Sequence, residues 1–133
     1  MNTVSDVADI LVVEDDAYLR ELLRIVLGNR AYSLKLVTNG DEAVRYLSGG
    51  AKPRLILLDM MMPIMDGSAF LAWLAGQPEI SAGIKVIVLS AVDVEQVLGA
   101  DMQGRDLVCA FVRKPVVVPQ LLASIQQALD AAC

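Results

Sequence analysis

The sequence predicts an α/β fold in which a parallel β-sheet is covered by helices on both faces. Five short runs of mainly aliphatic residues lack a regular polar alternation, which is typical of strands buried on both faces. Between these runs, apolar residues recur with helical spacing. Strands that alternate with helices in this way form parallel sheets joined by right-handed crossovers.

Length and composition fit one compact domain. The chain has 133 residues, of which 56% are hydrophobic and 20% charged, as expected for a protein with a single buried core. We predict one domain over residues 1–133 with its core at about 10–129. No apolar run approaches the ~20 residues of a membrane span, and the N-terminus does not resemble a signal peptide. We therefore expect a cytoplasmic protein without membrane insertion.

Several function classes are disfavoured by composition. The net charge is −5 and no basic cluster exceeds Arg113-Lys114, so we expect no direct contact with nucleic acid. The chain has no histidine, which excludes histidine metal ligands and histidine general bases of its own. The two cysteines, Cys109 and Cys133, show neither metal spacing nor a disulfide framework. We interpret them as a core cysteine and a free thiol in the tail.

The first two strand–helix units occupy the N-terminal half of the chain. The run ILVV is followed by three acids and then by an amphipathic pattern that Gly28-Asn29 ends. The second unit has a less aliphatic strand, a Thr38-Asn39-Gly40 turn and a shorter helix. The predicted elements are strand 10–13, a helix from Ala17 to Gly28, strand 33–37, and a helix that Asp41 opens and Gly49 ends.

The remaining units follow the same plan. The run LILL before Asp59 is apolar throughout, and KVIVL and VCAFV are further runs of the strand type. The last helix begins near Pro119, a favourable first helical position. The predicted elements are strand 55–58, a short helix after Gly67 that Gly76 and Pro78 end, strand 85–89, a helix over 93–104, strand 108–112 and the final helix.

The strand order follows from which strand is least apolar. Strand 33–37 is the best candidate for a sheet edge, which favours the order 2-1-3-4-5 of a doubly wound, flavodoxin-like (βα)5 sheet. In such a sheet the carboxyl ends of all strands share one rim, where ligands bind. The polar residues at those ends are Glu14, Asp15 and Asp16 after strand 1, Asp59 after strand 3, Ser90 after strand 4 and Lys114 after strand 5.

Clustered carboxylates on this rim need a positive partner. At ~4 Å and an effective dielectric constant of ~20, each pair repels by about 4 kcal/mol. The cluster must therefore protonate, bind a cation or pair with a lysine. Oxygen ligands without histidine or cysteine favour Mg²⁺, with Mn²⁺ as the alternative.

The same residues suit phosphoryl transfer. A carboxylate such as Asp59 can attack phosphorus and form an aspartyl phosphate, and the transfer needs mainly alignment and charge neutralisation. Lys114 offers a positive charge and Ser90 a hydroxyl donor.

Four motifs, in order and at strand ends, resemble one known family. They are ILVVEDD, LILLDMMMPIMDG, VIVLSA and FVRKP. From about Ile10 to Leu129 the chain is similar to the receiver domain of bacterial two-component response regulators. The resemblance implies that Asp59 accepts a phosphoryl group from a histidine kinase or phosphotransfer protein, and that the domain then switches a protein-binding face.

The resemblance also implies roles for the other site residues. Asp15, Asp59 and the backbone carbonyl of Met61 would bind Mg²⁺ directly, with Glu14 holding it through water. Lys114 would pair with the phosphoryl group, and the bond from Lys114 to Pro115 would be one that is often cis. Ser90 would turn toward the phosphoryl group together with the aromatic residue Phe111.

This chain departs from the usual pattern in three places. The segment between Ser90 and Lys114 is somewhat long, with Gly104 to Leu107 replacing the usual approach to strand 5, and Val116 stands where an aromatic is common. Met61 and Val92, two residues beyond Asp59 and Ser90, are both apolar. We hypothesise that they hinder attacking water and prolong the phosphorylated state.

Two other functions are compatible with such a sheet. One is a pseudo-receiver that binds partners without phosphorylation. The other is an Mg²⁺-dependent aspartyl-phosphate phosphatase, which Met61 disfavours because these enzymes use an acid at that position. On the leading hypothesis the chain is not a conventional enzyme and catalyses only its own phosphorylation and dephosphorylation. Its output would be a downstream protein target or a fused output domain.

Overall fold

The computed structural model describes residues 8–61, 65–91 and 103–130. In this part of the chain, five parallel strands form one sheet in the order β2-β1-β3-β4-β5. The predicted fold class and strand order are therefore confirmed, and every predicted strand agrees within one residue at either end. The strands are β1 Ile10–Val13, β2 Leu34–Val37, β3 Leu55–Asp59, β4 Lys85–Ser90 and β5 Val108–Arg113.

The described helices are α1 Ala17–Gly28, α2 Gly40–Ser48, α3 Gly67–Ala75, α4 Pro78–Ser81 and α5 Val118–Asp130, with a 3₁₀ turn at Arg105–Leu107. The α4 turn was not predicted, because Pro78 was interpreted only as a helix stop although proline also suits the first turn of a new helix. The helix predicted over 93–104 falls outside the described residues up to position 102.

Side-chain caps begin the helices that follow the site strands. Asp16 accepts hydrogen bonds from the N–H groups of Tyr18 at 2.9 Å and Leu19 at 3.4 Å, which satisfies free donors at the start of α1. Asp66 caps α3 in the same way. Helix α2, predicted to open at Asp41, begins one residue earlier at Gly40, because Asn39 provides its cap.

Two hydrophobic clusters occupy the two faces of the sheet. Successive strand residues point to opposite faces, so Leu11 and Val13 pack on the side of α2 and α3, while Ile10 and Val12 pack on the side of α1 and α5. All four side chains are fully buried. This double-sided burial explains why β1 is apolar without alternation.

The expectation that the cysteines form no disulfide is wrong, because Cys109 is disulfide-bonded; its side chain packs against the cluster on the α1 and α5 side of the sheet. It lies at the start of the edge strand β5 and is only partly buried. Helix α5 runs back to this end of the sheet, where Lys85 Nζ donates to the carbonyl of Ala128 at 2.8 Å. The other cysteine, Cys133, lies outside the described residues.

Candidate functional site

Strand register brings the predicted polar residues to one rim. Val13 lies opposite Leu58, so Glu14 and Asp59 follow at the same level of neighbouring strands. Asp59 in turn pairs with Leu89, directly before Ser90. Glu14, Asp59 and Ser90 are 0%, 2% and 1% exposed, so these polar groups lie within the fold at its carboxyl end.

The turn after β3 is shaped by Asp59 and by Gly67. The N–H of Met61 donates to Asp59 Oδ1 at 3.1 Å, and the N–H of Gly67 donates to the Met60 carbonyl at 3.2 Å. A Cβ at position 67 would lie 2.7 Å from Met60 Cα and 2.8 Å from the Asp59 carbonyl oxygen. The glycine eight residues after Asp59 is therefore required for α3 to begin directly against the site.

Three acids form a compact group. Carboxylate oxygens of Glu14, Asp15 and Asp59 all lie within 4.8 Å of one another. Glu14 and Asp59 are buried, and Asp15 is exposed at the mouth of the group. Oxygen ligands at this spacing, with one open side, fit a hard divalent cation that keeps some of its water.

Lys114 lies against two of these acids. Its Nζ is 3.0 Å from Glu14 Oε1 and 3.3 Å from Asp59 Oδ1. The backbone N–H of Lys114 donates to the Ser90 carbonyl at 2.8 Å, which ties the end of β5 to the end of β4. The following bond to Pro115 is cis.

One ammonium does not balance three carboxylates. Burial, followed by the nearby Asp59, raises the pKa of Glu14 to about 7 even though Lys114 lowers it. Burial and Asp59 likewise raise the pKa of Asp15. Burial acts to lower the pKa of Lys114, but the two acids outweigh it and the pKa is raised. Without a further cation the site therefore carries excess negative charge.

A buried oxygen supports the same conclusion. Within the described residues, Glu14 Oε1 accepts no hydrogen bond, although Lys114 Nζ lies 3.0 Å away in an ion pair without hydrogen-bonding geometry. Buried carboxylate oxygens normally accept hydrogen bonds or coordinate a cation. The donor set and this oxygen both fit Mg²⁺ or Mn²⁺.

Phe111 lies apart from the acids. It pairs with Val88 on β4 and packs with the cluster on the α3 side of the sheet. The guanidinium carbon of Arg105 stands 4.8 Å from its ring centroid. Because Val88 and Ser90 are two residues apart on one strand, alternation places Ser90 on the sheet face that Phe111 occupies.

Sequence reasoning missed Arg20, a residue of α1 that contacts the loop carrying the acids. Its Nη1 donates to the carbonyl oxygens of Glu14 at 3.0 Å and Asp15 at 3.1 Å. The position of Arg20 near the start of α1 was a signal in the sequence. A positive charge there opposes the helix dipole, which indicates that Arg20 has a role other than stabilising the helix.

Fold and site together define an α/β domain with an acidic, cation-compatible centre at the carboxyl end of its sheet. The sequence model of the protein family described as response regulator receiver domain matches residues 10–126 of this chain. The chain belongs to this family, and it is a receiver domain of the response regulator type. No comparison favours a pseudo-receiver or a phosphatase.

The relatives agree with this assignment. Response regulator MprA of Mycobacterium tuberculosis is 34% identical over 122 residues, which cover 90% of this chain and 50% of that protein. The signal receiver domain of a signal transduction histidine kinase from Syntrophus aciditrophicus is 35% identical, with a TM-score of 0.78 and coverage of 94% of this chain and 92% of that one. NtrX from Brucella abortus is 28% identical, with a TM-score of 0.75 and coverage of 93% and 27% respectively. The chain thus spans about half the length of the curated relatives it matches.

Among the described residues, no helix has the length and apolar character needed to cross a membrane.

Proposed function

We propose that Asp59 accepts a phosphoryl group in an Mg²⁺-dependent reaction and that the phosphorylated domain changes its affinity for another protein. The observation that carries this proposal is a nearly buried carboxylate at a strand end, with two further acids within 4.8 Å and the Lys114 ammonium at 3.3 Å. We treat residues 1–133, with a core at about 10–129, as one receiver domain.

The acids provide the ligands for the cation. We assign Asp15, Asp59 and the backbone carbonyl of Met61 as direct ligands and Glu14 as a ligand through water. Mg²⁺, when bound, supplies the positive charge that phosphoryl oxygens require near these carboxylates. Mn²⁺ would serve the same purpose.

The proposed transfer uses one oxygen of Asp59. Oδ1 accepts the Met61 N–H and faces Lys114, so we assign the attack on phosphorus to Oδ2. A bond from Oδ2 to phosphorus forms as the bond from phosphorus to the donor nitrogen of a phosphohistidine breaks, and that imidazole keeps the electron pair and is then protonated. Lys114 offsets the charge of the phosphoryl oxygens.

Two residues, Ser90 and Phe111, would couple phosphorylation of Asp59 to a change at the protein surface. Phosphorylation adds up to about two negative charges and strong acceptor oxygens at Asp59. The Ser90 hydroxyl would then donate to a phosphoryl oxygen, and Phe111 on the same sheet face would change its packing. Phosphorylation would thus alter the face around β5.

The open side of the site is suited to a protein donor. Tyr18, Met61 and Val117 are 82%, 69% and 49% exposed. An apolar cavity of about 420 Å³ lies between Leu22 of α1 and Val116 beside Lys114. We propose that a histidine kinase or a phosphotransfer protein docks here, since exposed apolar side chains of this kind mark protein contacts.

The output is a downstream protein target or a fused output domain. We place the chain in the cytoplasm, where such partners would meet it; the disulfide at Cys109 is unusual for that compartment. We propose no direct contact with nucleic acid and no membrane insertion for this domain.

The test is incubation of the purified protein with acetyl phosphate and Mg²⁺, followed by intact mass measurement. We expect a gain of one phosphoryl group that is lost in Asp59→Asn and abolished by chelation of the metal. Asp66→Asn is the matched control, because Asp66 is an exposed acid in the same region and asparagine can keep its cap. No gain in the wild-type protein would support a pseudo-receiver, and rapid turnover of a phosphate ester would support a phosphatase.

A further inference from the structure

We infer that Arg20 is a positioning residue for cation binding, and that it holds the β1–α1 loop so that the carboxylates of Glu14 and Asp15 face Asp59. This inference rests on the proposed function, because it concerns the same acidic group. It adds a residue outside the set of ligands and phosphoryl contacts named above.

The contacts of Arg20 fix two consecutive peptide groups. One guanidinium nitrogen, Nη1, donates to the carbonyl oxygens of Glu14 and Asp15 at 3.0 and 3.1 Å. Because each peptide group is planar, holding both carbonyl oxygens restricts the backbone on either side of Asp15. The direction in which the Asp15 side chain leaves the backbone is restricted with it.

Asp15 depends on this restraint more than Glu14 does. The Glu14 carboxylate is also held by Lys114 Nζ at 3.3 Å and by the N–H of Asp16 at 3.2 Å. Asp15 lies exposed at the mouth of the acidic group, and among the described residues no lysine or arginine pairs with its carboxylate, whose partners are the acids Glu14 and Asp59. The backbone is what orients Asp15, and Arg20 holds that backbone.

Helix stability does not explain the position of Arg20. A positive charge in the first turn of α1 opposes the helix dipole. Within the described residues the side-chain hydrogen bonds of Arg20 are instead those to the loop that carries the acids.

Charge and positioning predict opposite effects on cation binding. If Arg20 acted only through its charge, its removal would make the acidic group more negative and Mg²⁺ would bind more tightly. If Arg20 positions Asp15, its removal weakens binding despite the loss of a repelling charge. The sign of the change therefore separates the two roles.

The experiment is calorimetric titration of the full chain with Mg²⁺, repeated with Mn²⁺, at pH 7.5. We expect Arg20→Gln to weaken binding by about tenfold, the lower end of the effect of residues that orient metal ligands. Arg20→Lys keeps the charge and a donor nitrogen but places it on a flexible stem in place of the rigid guanidinium, and we expect an intermediate loss. Arg24→Gln is the matched control, because Arg24 lies one turn further along α1 and pairs with Glu21; its affinity should stay within twofold of wild type.

The outcomes distinguish this inference from the proposed function. Cation binding by the wild type, with unchanged or tighter binding in both Arg20 variants, overturns the role of Arg20 alone. No binding by the wild type overturns the proposed function, and this inference with it. The free energy of unfolding, measured without metal, distinguishes a positioning role from a purely structural one. If Arg20→Lys is folded and less stable but binds Mg²⁺ as tightly as wild type, the positioning role is contradicted.

Discussion

Lys114 Nζ lies 3.0 Å from Oε1 of Glu14, a carboxylate with no solvent exposure, although the two residues are 100 positions apart in sequence. The same ammonium is 3.3 Å from Asp59 Oδ1. A buried ion pair of this kind gives little net stability, but removal of one partner leaves a costly buried charge. Loss of Lys114 would therefore leave the buried carboxylates of Glu14 and Asp59 without the cation that now pairs with them.

The pH dependence of stability should reflect Glu14. Its pKa is about 7 in the fold and 4.5 in the unfolded reference, so the folded state binds more protons between these values. Without divalent cations, the free energy of unfolding should fall as pH rises from about 4.5 through 7, by at most about 3 kcal/mol. The raised pKa of Asp15 acts in the same direction. Urea unfolding at a series of pH values measures this fall.

Two comparisons test the cause of that fall. Glu14→Gln should flatten the pH profile, since glutamine does not titrate. Saturating Mg²⁺ should restore stability at pH 7, because the cation binds the ionised carboxylates of the folded state. A profile that is the same for Glu14→Gln and wild type would contradict the assignment.

Lys114 should compete with the cation. Lys114→Met removes an ammonium within 3.3 Å of two acids, so Mg²⁺ should bind more tightly by up to about 4 kcal/mol, the repulsion of unit charges ~4 Å apart at an effective dielectric constant of ~20. Calorimetric titration provides the measurement. Lys52→Met is the control, since Lys52 is exposed and its Nζ contacts the Glu79 carbonyl instead. Weaker Mg²⁺ binding in Lys114→Met would show that the lysine organises the acids more than it repels the cation.

Met61 should influence how long the phosphoryl group persists. Its side chain is 69% exposed and its N–H donates to Asp59, so an apolar group stands beside the attacked carboxylate. Met61→Asn should shorten the half-life several-fold by admitting and orienting water, as intact mass measured over time would show. Val92, the second residue of this hypothesis, lies outside the described residues. Ile25→Asn, an exposed apolar position on α1, should leave the half-life unchanged.

Gly104 should be more sensitive to substitution than Gly83. Both have φ above +80°, where a side chain costs about 1 kcal/mol. A Cβ at Gly104 would also lie 2.7 Å from Leu71 Cγ, whereas a Cβ at Gly83 would meet nothing within 4 Å. We expect Gly83→Ala to lose about 1 kcal/mol of unfolding free energy and Gly104→Ala about 2–4 kcal/mol, since overpacking adds its own cost. Equal losses in urea unfolding would show that the contact with Leu71 relaxes freely.

The sequence by itself determined the sheet and the residues at its carboxyl end. The runs ILVV and LILLD are buried on both faces, and this burial is a local property that hydrophobic spacing records directly. Because parallel strands end on one rim, the positions of Asp59, Ser90 and Lys114 after their strands were enough to predict their proximity.

Only the tertiary structure decided which of the polar residues at the carboxyl ends of the strands contact one another and which further residues position them. The closest acid to Lys114 is Glu14 and not Asp59, which depends on how β5 lies beside its neighbours. Arg20 reaches the Glu14 and Asp15 carbonyls because side chains of a helix point toward its N-terminus, where this loop precedes α1. Hydrophobic spacing specifies which residues are buried, but contacts between distant segments arise only when those segments dock, so sequence spacing alone did not predict them.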